Sequence, residues 1–328
     1  MRIRAIIPDE NRQAGAYPDL LFRNLADSVP GVSFTKVPGG GADRTLLLGP
    51  VAITADRPFL FLWNVDDVRW PERGPWPFRR PRKHGYDQLL SQVAGVFVPH
   101  DALAIALREE LGYRGQVHSV GHGLPQPWGR LVQLDEVTRR INREVYGREG
   151  SFFLARSTGH PSDNLPRLIE AYDRFRKRCS EPVRLLILGD VNGQPRSVRK
   201  AIKKATHRAA IQWLTLAWAH EEWKLISSAR AVLYPSLSTR FPTEILIAWH
   251  AGVPVLADHP DVLAGAGAQV RGEDVNSIAE GLVALVTTPF LASGLVENGR
   301  RRLEEFTWER VARRVAEVIT APSVPPSS

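Results

Sequence analysis

The chain has 328 residues, 43% of them hydrophobic and 24% charged, which excludes a disordered, collagenous or fibrous protein and suits about two domains. Its single cysteine, Cys179, excludes an intramolecular disulfide and a cysteine-based metal cluster, and points to a reducing compartment. Forty-three Lys and Arg against 35 Asp and Glu leave a net charge of +8, a modest excess that reads as a solvated basic surface rather than a nucleic-acid-binding tail.

The N-terminal segment reaches Pro8 without the long apolar region or small-residue cleavage site of a signal peptide, and reads as a first strand. No stretch attains the ~18 uninterrupted apolar residues of a membrane span, so a cytoplasmic protein is expected. Apolar runs bounded by turn signals then alternate with helix-period segments, the pattern of parallel sheets covered by helices. In the first series strands are predicted at 3–7, 32–37, 45–48, 59–63, 95–98 and 116–120. Helices are predicted at 19–28, 86–93 and 102–111. Residues 126–150 lack strand signals, hold a polar helix at 135–145, and read as an inter-domain connection.

The second series opens at Ser151-Phe-Phe-Leu-Ala155. It continues through helix 165–177, strand 183–188, helix 196–206, strand 210–213, helix 221–228, strand 231–234, helix 243–251, strand 253–257 and helix 275–285. A final amphipathic helix at 308–319 precedes a Pro/Ser-rich tail, 321–328, expected to be disordered. The predicted fold class is therefore α/β, with doubly wound Rossmann-like domains at 1–125 and 151–320. Ligands of such sheets bind at the carboxyl ends of the strands, and two such domains would face one another across a cleft.

Several residues at those strand ends suit an anionic ligand. Arg156 ends the strand at 151–155, where a guanidinium holds a diphosphate or, equally, forms a surface ion pair. Gly189-Asp190 follows Leu-Leu-Ile-Leu and permits close backbone approach or a simple tight turn. Pro235-Ser-Leu-Ser-Thr-Arg-Phe-Pro-Thr-Glu244 runs from a strand into a helix, with Pro242 expected at the first helical position. The helix N-terminus and Arg240 beside it make an anion site. Strand 59–63 ends in Asn64-Val-Asp-Asp67, where Asp66 and Asp67 read as acceptor contacts or as loop caps. Between Arg69 and His84 lie six Arg and Lys with Trp70, Trp76 and Phe78, a mixture suited to an anionic acceptor: a membrane surface, a phosphorylated carrier or nucleic acid. A solvated loop has the same composition. The basic helix 196–204 keeps Val198 and Ile202 on one side and reads as a solvated face.

One order of local signals goes further. Asn164-Leu-Pro-Arg-Leu-Ile-Glu-Ala171, Leu185 to Asp190, Ala229 to Ser236, Phe241 to Val255 and Phe306-Thr-Trp308 together resemble the donor domain of GT-B glycosyltransferases. The resemblance is closest to the large retaining, nucleotide-sugar-dependent class, the glycosyl transferases of group 1. It spans about 151–320. More weakly, a loop with Gly15, Ala94 to His100 and Val117 to Leu124 resemble the acceptor domain. The resemblance implies sugar transfer with retention from a nucleotide-sugar co-substrate, with no tightly bound cofactor and no metal. It also places a pair of glutamates at positions that here are Thr239 and Ile247, and a basic pair where Ser162-Asp163 stands. The missing carboxylates leave two other readings open, a non-catalytic GT-B-like binding protein or an altered chemistry such as pseudo-sugar coupling or epimerisation.

Taken together, these readings assign Glu244, Asp66 and Asp67 to catalysis, with Glu244 compensating for the absent pair. Donor binding falls to Arg156, Asn164, Gly189, Asp190, Ser236, Thr239, Arg240, Phe241, Pro242 and Thr243. Acceptor binding falls to Gly15, Asn64, Arg79, Arg80, Arg82, Lys83 and His122.

Overall fold

A computed structural model describes residues 2–6, 21, 33–35, 44–47, 57–66, 83–124, 128–147, 150–189, 193–215 and 219–321. Gly15, Asp67, Arg79, Arg80, Arg82 and Asp190 lie outside the described residues, as do most of the helix expected at 19–28 and the tail after Ala321. The chain forms two compact units, each an α/β unit built on a parallel six-stranded sheet.

The first unit comprises residues up to Pro125, the three residues Thr239–Phe241, and the segment from Glu305 onward. Its strands are β1 (Arg2–Ile6), β2 (Ser33–Thr35), β3 (Arg44–Leu47), β4 (Phe59–Phe61), β5 (Gly95–Val98) and β6 (Val117–Ser119), in the spatial order β2-β1-β3-β4-β5-β6. Helices α1 (Lys83–Ser91) and α2 (Asp101–Glu109) connect the later strands. One face of the sheet buries Leu60, Leu62, Val96 and Val98 against Leu90, Leu103 and Leu107 of these helices. The opposite face buries Phe59, Phe61 and Phe97 against Trp308, Val311, Val315 and Ile319. Those last residues belong to the C-terminal helix, expected with residues 151–320, which packs instead in the first unit. Its spacing of buried residues at 308, 311, 312, 315, 316 and 319 is one face of an α-helix, and Thr307 Oγ1 caps it by accepting from the amide of Arg310 at 3.3 Å.

The second unit comprises Gln126–Ser238 and Pro242–Glu304. Its strands are β7 (Ser151–Arg156), β8 (Val183–Gly189), β9 (Ile211–Thr215), β10 (Ala231–Tyr234), β11 (Val255–Ala257) and β12 (Ala268–Gln269), in the order β12-β11-β10-β7-β8-β9. The runs Phe-Phe-Leu-Ala, Leu-Leu-Ile-Leu and Ala-Val-Leu-Tyr are apolar throughout because helices cover both faces of a parallel sheet. Those helices are α3 (Glu136–Gly147), α4 (Leu165–Arg178), α5 (Arg196–Lys204), α6 (Ala219–Ser228), α7 (Thr243–Ala251), α8 (Pro260–Leu263), α9 (Val275–Thr287) and α10 (Leu291–Leu303). The C-terminal helix Trp308–Thr320 is α11. The residues expected to be a connection thus supply α3, which packs on α6 and β7 within the second unit. Among the described residues no single helix is long and apolar enough to cross a membrane.

Strand order reverses between β7 and β10: from β7 the chain builds outward through β8 and β9, then returns to β10 and continues through β11 and β12. A crevice forms outside the carboxyl ends of the strands at such a switch point.

Candidate functional site

At that switch point a pocket is lined by the ends of β7 (Leu154 to Arg156) and β10 (Val232 to Tyr234), by Glu222 and Ile226 of α6, and by Glu244 and Ile247 of α7. Arg156 is the last residue of β7, and its Nη1 lies 2.8 Å from Glu222 Oε1. Glu222 is the more enclosed partner, its side chain 14% exposed against 41% for Arg156. Burial pushes the Glu222 carboxyl above its ordinary value; the Arg156 charge opposes this and the Glu244 charge adds to it. The Glu222 carboxylate therefore senses the Glu244 charge, while the Arg156 guanidinium pairs with Glu222. Glu244 sits in the first turn of α7, where Thr243 Oγ1 donates to its Oε2 at 3.3 Å.

The pocket is lined by apolar side chains with Arg156, Glu222 and Glu244 as its charged groups, and its volume of about 20 Å³ is that of about one water. Carboxylates accept from the hydroxyls of a sugar, and a guanidinium or a helix N-terminus attracts phosphate oxygens. Ile247 is 3% exposed and contributes only carbon to the lining. Pro242 occupies the cap position of α7 rather than its first helical residue, and Ile245 N donates to its carbonyl at 3.0 Å.

Other residues expected to touch the donor make contacts within the second unit. Asn164, in a left-handed conformation at φ 59°, donates through Nδ2 to the carbonyls of Pro235 (2.8 Å) and Gly272 (2.7 Å), while its Oδ1 accepts from Arg167. It braces three segments. Asp163, standing where a basic residue was expected, is tied down by the amide of Thr158 (2.7 Å) and by the Thr158 (2.8 Å) and Ser157 (3.3 Å) hydroxyls. Ser236 Oγ donates to the Ser162 carbonyl at 2.9 Å and accepts from the amide of Ser238. At Gly189 a Cβ would meet the Trp213 ring at 1.7 Å, so the glycine makes room for that indole.

A second cluster lies wholly in the first unit. Thr239, expected as a donor contact, and Asp66, expected as an acceptor contact, are bonded to each other. Asp66 Oδ1 accepts from both the amide and the hydroxyl of Thr239 at 2.6 Å, and Val65 N donates to Thr239 Oγ1 at 2.9 Å. Arg240 Nε lies 3.8 Å from Asp66 Oδ2, and Asn64 Oδ1 accepts from the Asp66 amide at 3.2 Å. His100 Nε2 lies 3.1 Å from the Thr239 carbonyl. The Phe241 ring stacks on His122 with centroids 4.5 Å apart and planes 7° from parallel. His122 is 2% exposed, and burial pushes its pKa down to about 3, so it is neutral near pH 7. Its Nδ1 lies 2.7 Å from the Gly123 carbonyl, which fixes the proton on that nitrogen.

Neither Glu222 nor His100 is among the residues that the sequence assigns to the site. Glu222 stands 66 residues after Arg156 on a helix whose first turn reads Glu221-Glu222, and nothing local marks which acid faces the pocket. His100 ends an apolar strand run, a position that carries ligands in this architecture and was the one usable signal. Among the described residues no group of three or more His, Cys, Asp or Glu is placed to hold a metal ion.

Residues 150–288 match the model of a family described as glycosyl transferases group 1. No curated protein matches the chain. Among solved structures, a glycosyltransferase from Rickettsia africae is 12% identical with a TM-score of 0.68, covering 97% of each chain. Sucrose-phosphate synthase from Thermosynechococcus elongatus is 14% identical with a TM-score of 0.69, covering 97% of this chain and 98% of that one. WaaG, a glycosyltransferase involved in lipopolysaccharide biosynthesis, is 15% identical with a TM-score of 0.64, covering 98% of this chain and all of the other. At these identities the likeness is one of fold.

Proposed function

We propose that this chain, whose residues 150–288 match the model of the glycosyl transferases of group 1, is a glycosyltransferase that takes its sugar from a nucleotide-sugar donor seated at the β7/β10 switch point. The observation that carries the reading is the charged lining of the pocket, Arg156, Glu222 and Glu244. Glu222 and Glu244 accept hydroxyls of the donor, while Arg156 and the N-terminal amides of α7 stabilise the diphosphate that leaves. The transfer retains the anomeric configuration, in keeping with the class the sequence resembles. The acceptor is held by the first unit and is anionic, a role that falls to the basic segment 69–84.

Titrating UDP, GDP and dTDP into the protein by calorimetry, and then assaying hydrolysis of the corresponding nucleotide sugars, tests this function. Binding of one nucleotide followed by slow hydrolysis of its sugar is the expected outcome. Absence of binding by all three at high protein concentration would refute it.

A further inference from the structure

Helix α5 carries Arg196, Arg199, Lys200, Lys203 and Lys204, all exposed, and Arg208 follows on the next turn, exposed as well. Positions 196, 199, 200, 203 and 204 repeat at three and four residues, so the five cations form one stripe about 12 Å long. Val198 is buried on the other side, with Ile202 packed against the same core. Residues 196–208 contain no Asp or Glu, and none of these six cations makes an ion pair among the described residues. A helix that only needs solubility interleaves both signs. Here the like charges at three- and four-residue spacing repel one another, and Arg196 sits at the helix end where the macrodipole disfavours a cation. The repulsion and the placement of Arg196 are local costs, offset in part by Lys203 and Lys204 in the last turn, where the macrodipole favours cations.

Beside the stripe runs a groove of about 370 Å³ between α4 and α5, floored by Ile169 and Ala201. Ser197, Lys200 and Lys204 form one wall, and Glu170 and Asp173 line the other. Both acids are already engaged: Glu170 with Arg174 at 2.6 Å, and Asp173 with the amides of Thr206 and His207 and the His207 ring. The unengaged charges facing the groove are therefore the two ammonium groups.

We propose that the α5 stripe docks this protein on an anionic phospholipid surface, with a headgroup phosphate entering the groove beside Ser197, Lys200 and Lys204. A row of charges with no aromatic residue within the helix or its flanks fits a charged lipid surface. Single-stranded nucleic acid would require rings on which bases stack, and residues 193–210 contain no Phe, Tyr or Trp. The apolar side of α5 is spent on the protein core, so the attachment is electrostatic and reversible rather than inserted.

The test is co-sedimentation of the full chain with vesicles of phosphatidylcholine alone and with about a third phosphatidylglycerol, at low salt. Binding is expected only to the anionic vesicles and is lost in high salt. Each cation near such a surface contributes roughly fivefold in partitioning. The quadruple variant R199Q/K200Q/K203Q/K204Q should therefore bind at least about a hundredfold less tightly. It should melt no lower than the wild type, because repulsion is removed. K200R/K203R/K204R should retain binding. A control of equal charge change elsewhere, R114Q/R140Q/R310Q/R313Q, should bind within a fewfold of the wild type. Three results would overturn the proposal: no binding to anionic vesicles, an equal loss in the control, or stripe-dependent binding to RNA with none to vesicles.

Discussion

Asp66 Oδ1 accepts two hydrogen bonds of 2.6 Å from Thr239, one from its amide and one from its hydroxyl, across 173 residues of sequence. The aspartate is 7% exposed and the threonine 4%. A buried carboxylate that loses its donors keeps its full desolvation penalty, so this pair is structural in the first instance.

Thr239→Val removes the hydroxyl donor and leaves the carboxylate and the Val65 amide short of a partner. A loss of about 1.5–3 kcal/mol in unfolding free energy is expected by denaturant titration. A double-mutant cycle of Asp66→Ala with Thr239→Ala should show coupling of roughly 1–3 kcal/mol. Additive losses would mean that the two side chains do not support each other.

His122 supplies a pH dependence with a definite sign. Its pKa is about 3 in the folded chain, against about 6.5 when unfolded. The unfolded chain therefore takes up the proton first as the pH falls. Stability from this group is complete above about pH 6.5 and declines as the pH drops toward 3, by roughly 3 kcal/mol at pH 4. His122→Phe keeps a ring between Phe241 and Trp308 and should flatten this part of the stability curve. An unchanged slope in that variant would place its origin elsewhere.

Gly189→Ala should destabilise by roughly 1–3 kcal/mol through overlap with the Trp213 ring, and adding Trp213→Leu should recover part of the loss in thermal melts. Strong loss of nucleotide affinity in Gly189→Ala with unchanged stability would return the glycine to the binding site.

Much of the second unit is legible because its strands are continuous apolar runs ended by Gly, Pro or charge. Strand β10 and helix α7 have the expected bounds, 231–234 and 243–251, and β7, β8 and α4 extend only one residue beyond theirs. Helix α5 stops at Lys204 instead of 206 because Asp173 captures the amides of Thr206 and His207. Helix α10 was not foreseen. Gly294, Asn298 and Gly299 lower its local propensity, yet Gly299 is where the Trp249 ring needs space, with a Cβ there 2.4 Å from the indole. Strand β11 begins at Val255 rather than Val253 because Pro254 contributes only its carbonyl, to the Val232 amide. At the site, Arg156 and Glu244 are readable as charged residues at a strand end and a helix start. Glu222 is not, since only tertiary packing of α6 on α7 brings it to Arg156.

Arg156→Ala should weaken nucleotide binding by about 1.5–3 kcal/mol if its guanidinium reaches the diphosphate. It also strips Glu222 of its cation and should raise that carboxyl further. Unchanged nucleotide affinity, measured by calorimetry, would confine Arg156 to the ion pair.

Turnover of Glu222→Gln and Glu244→Gln on the nucleotide sugar that the protein binds tests the pocket most directly. Each amide keeps the shape of its side chain and removes the charge, so melting temperatures should shift by only a few degrees. Turnover should fall at least about tenfold in each, a barrier increase of about 1.4 kcal/mol, with nucleotide affinity less affected than donor affinity. Wild-type turnover and donor affinity in both variants would contradict the placement of the sugar at the β7/β10 switch point.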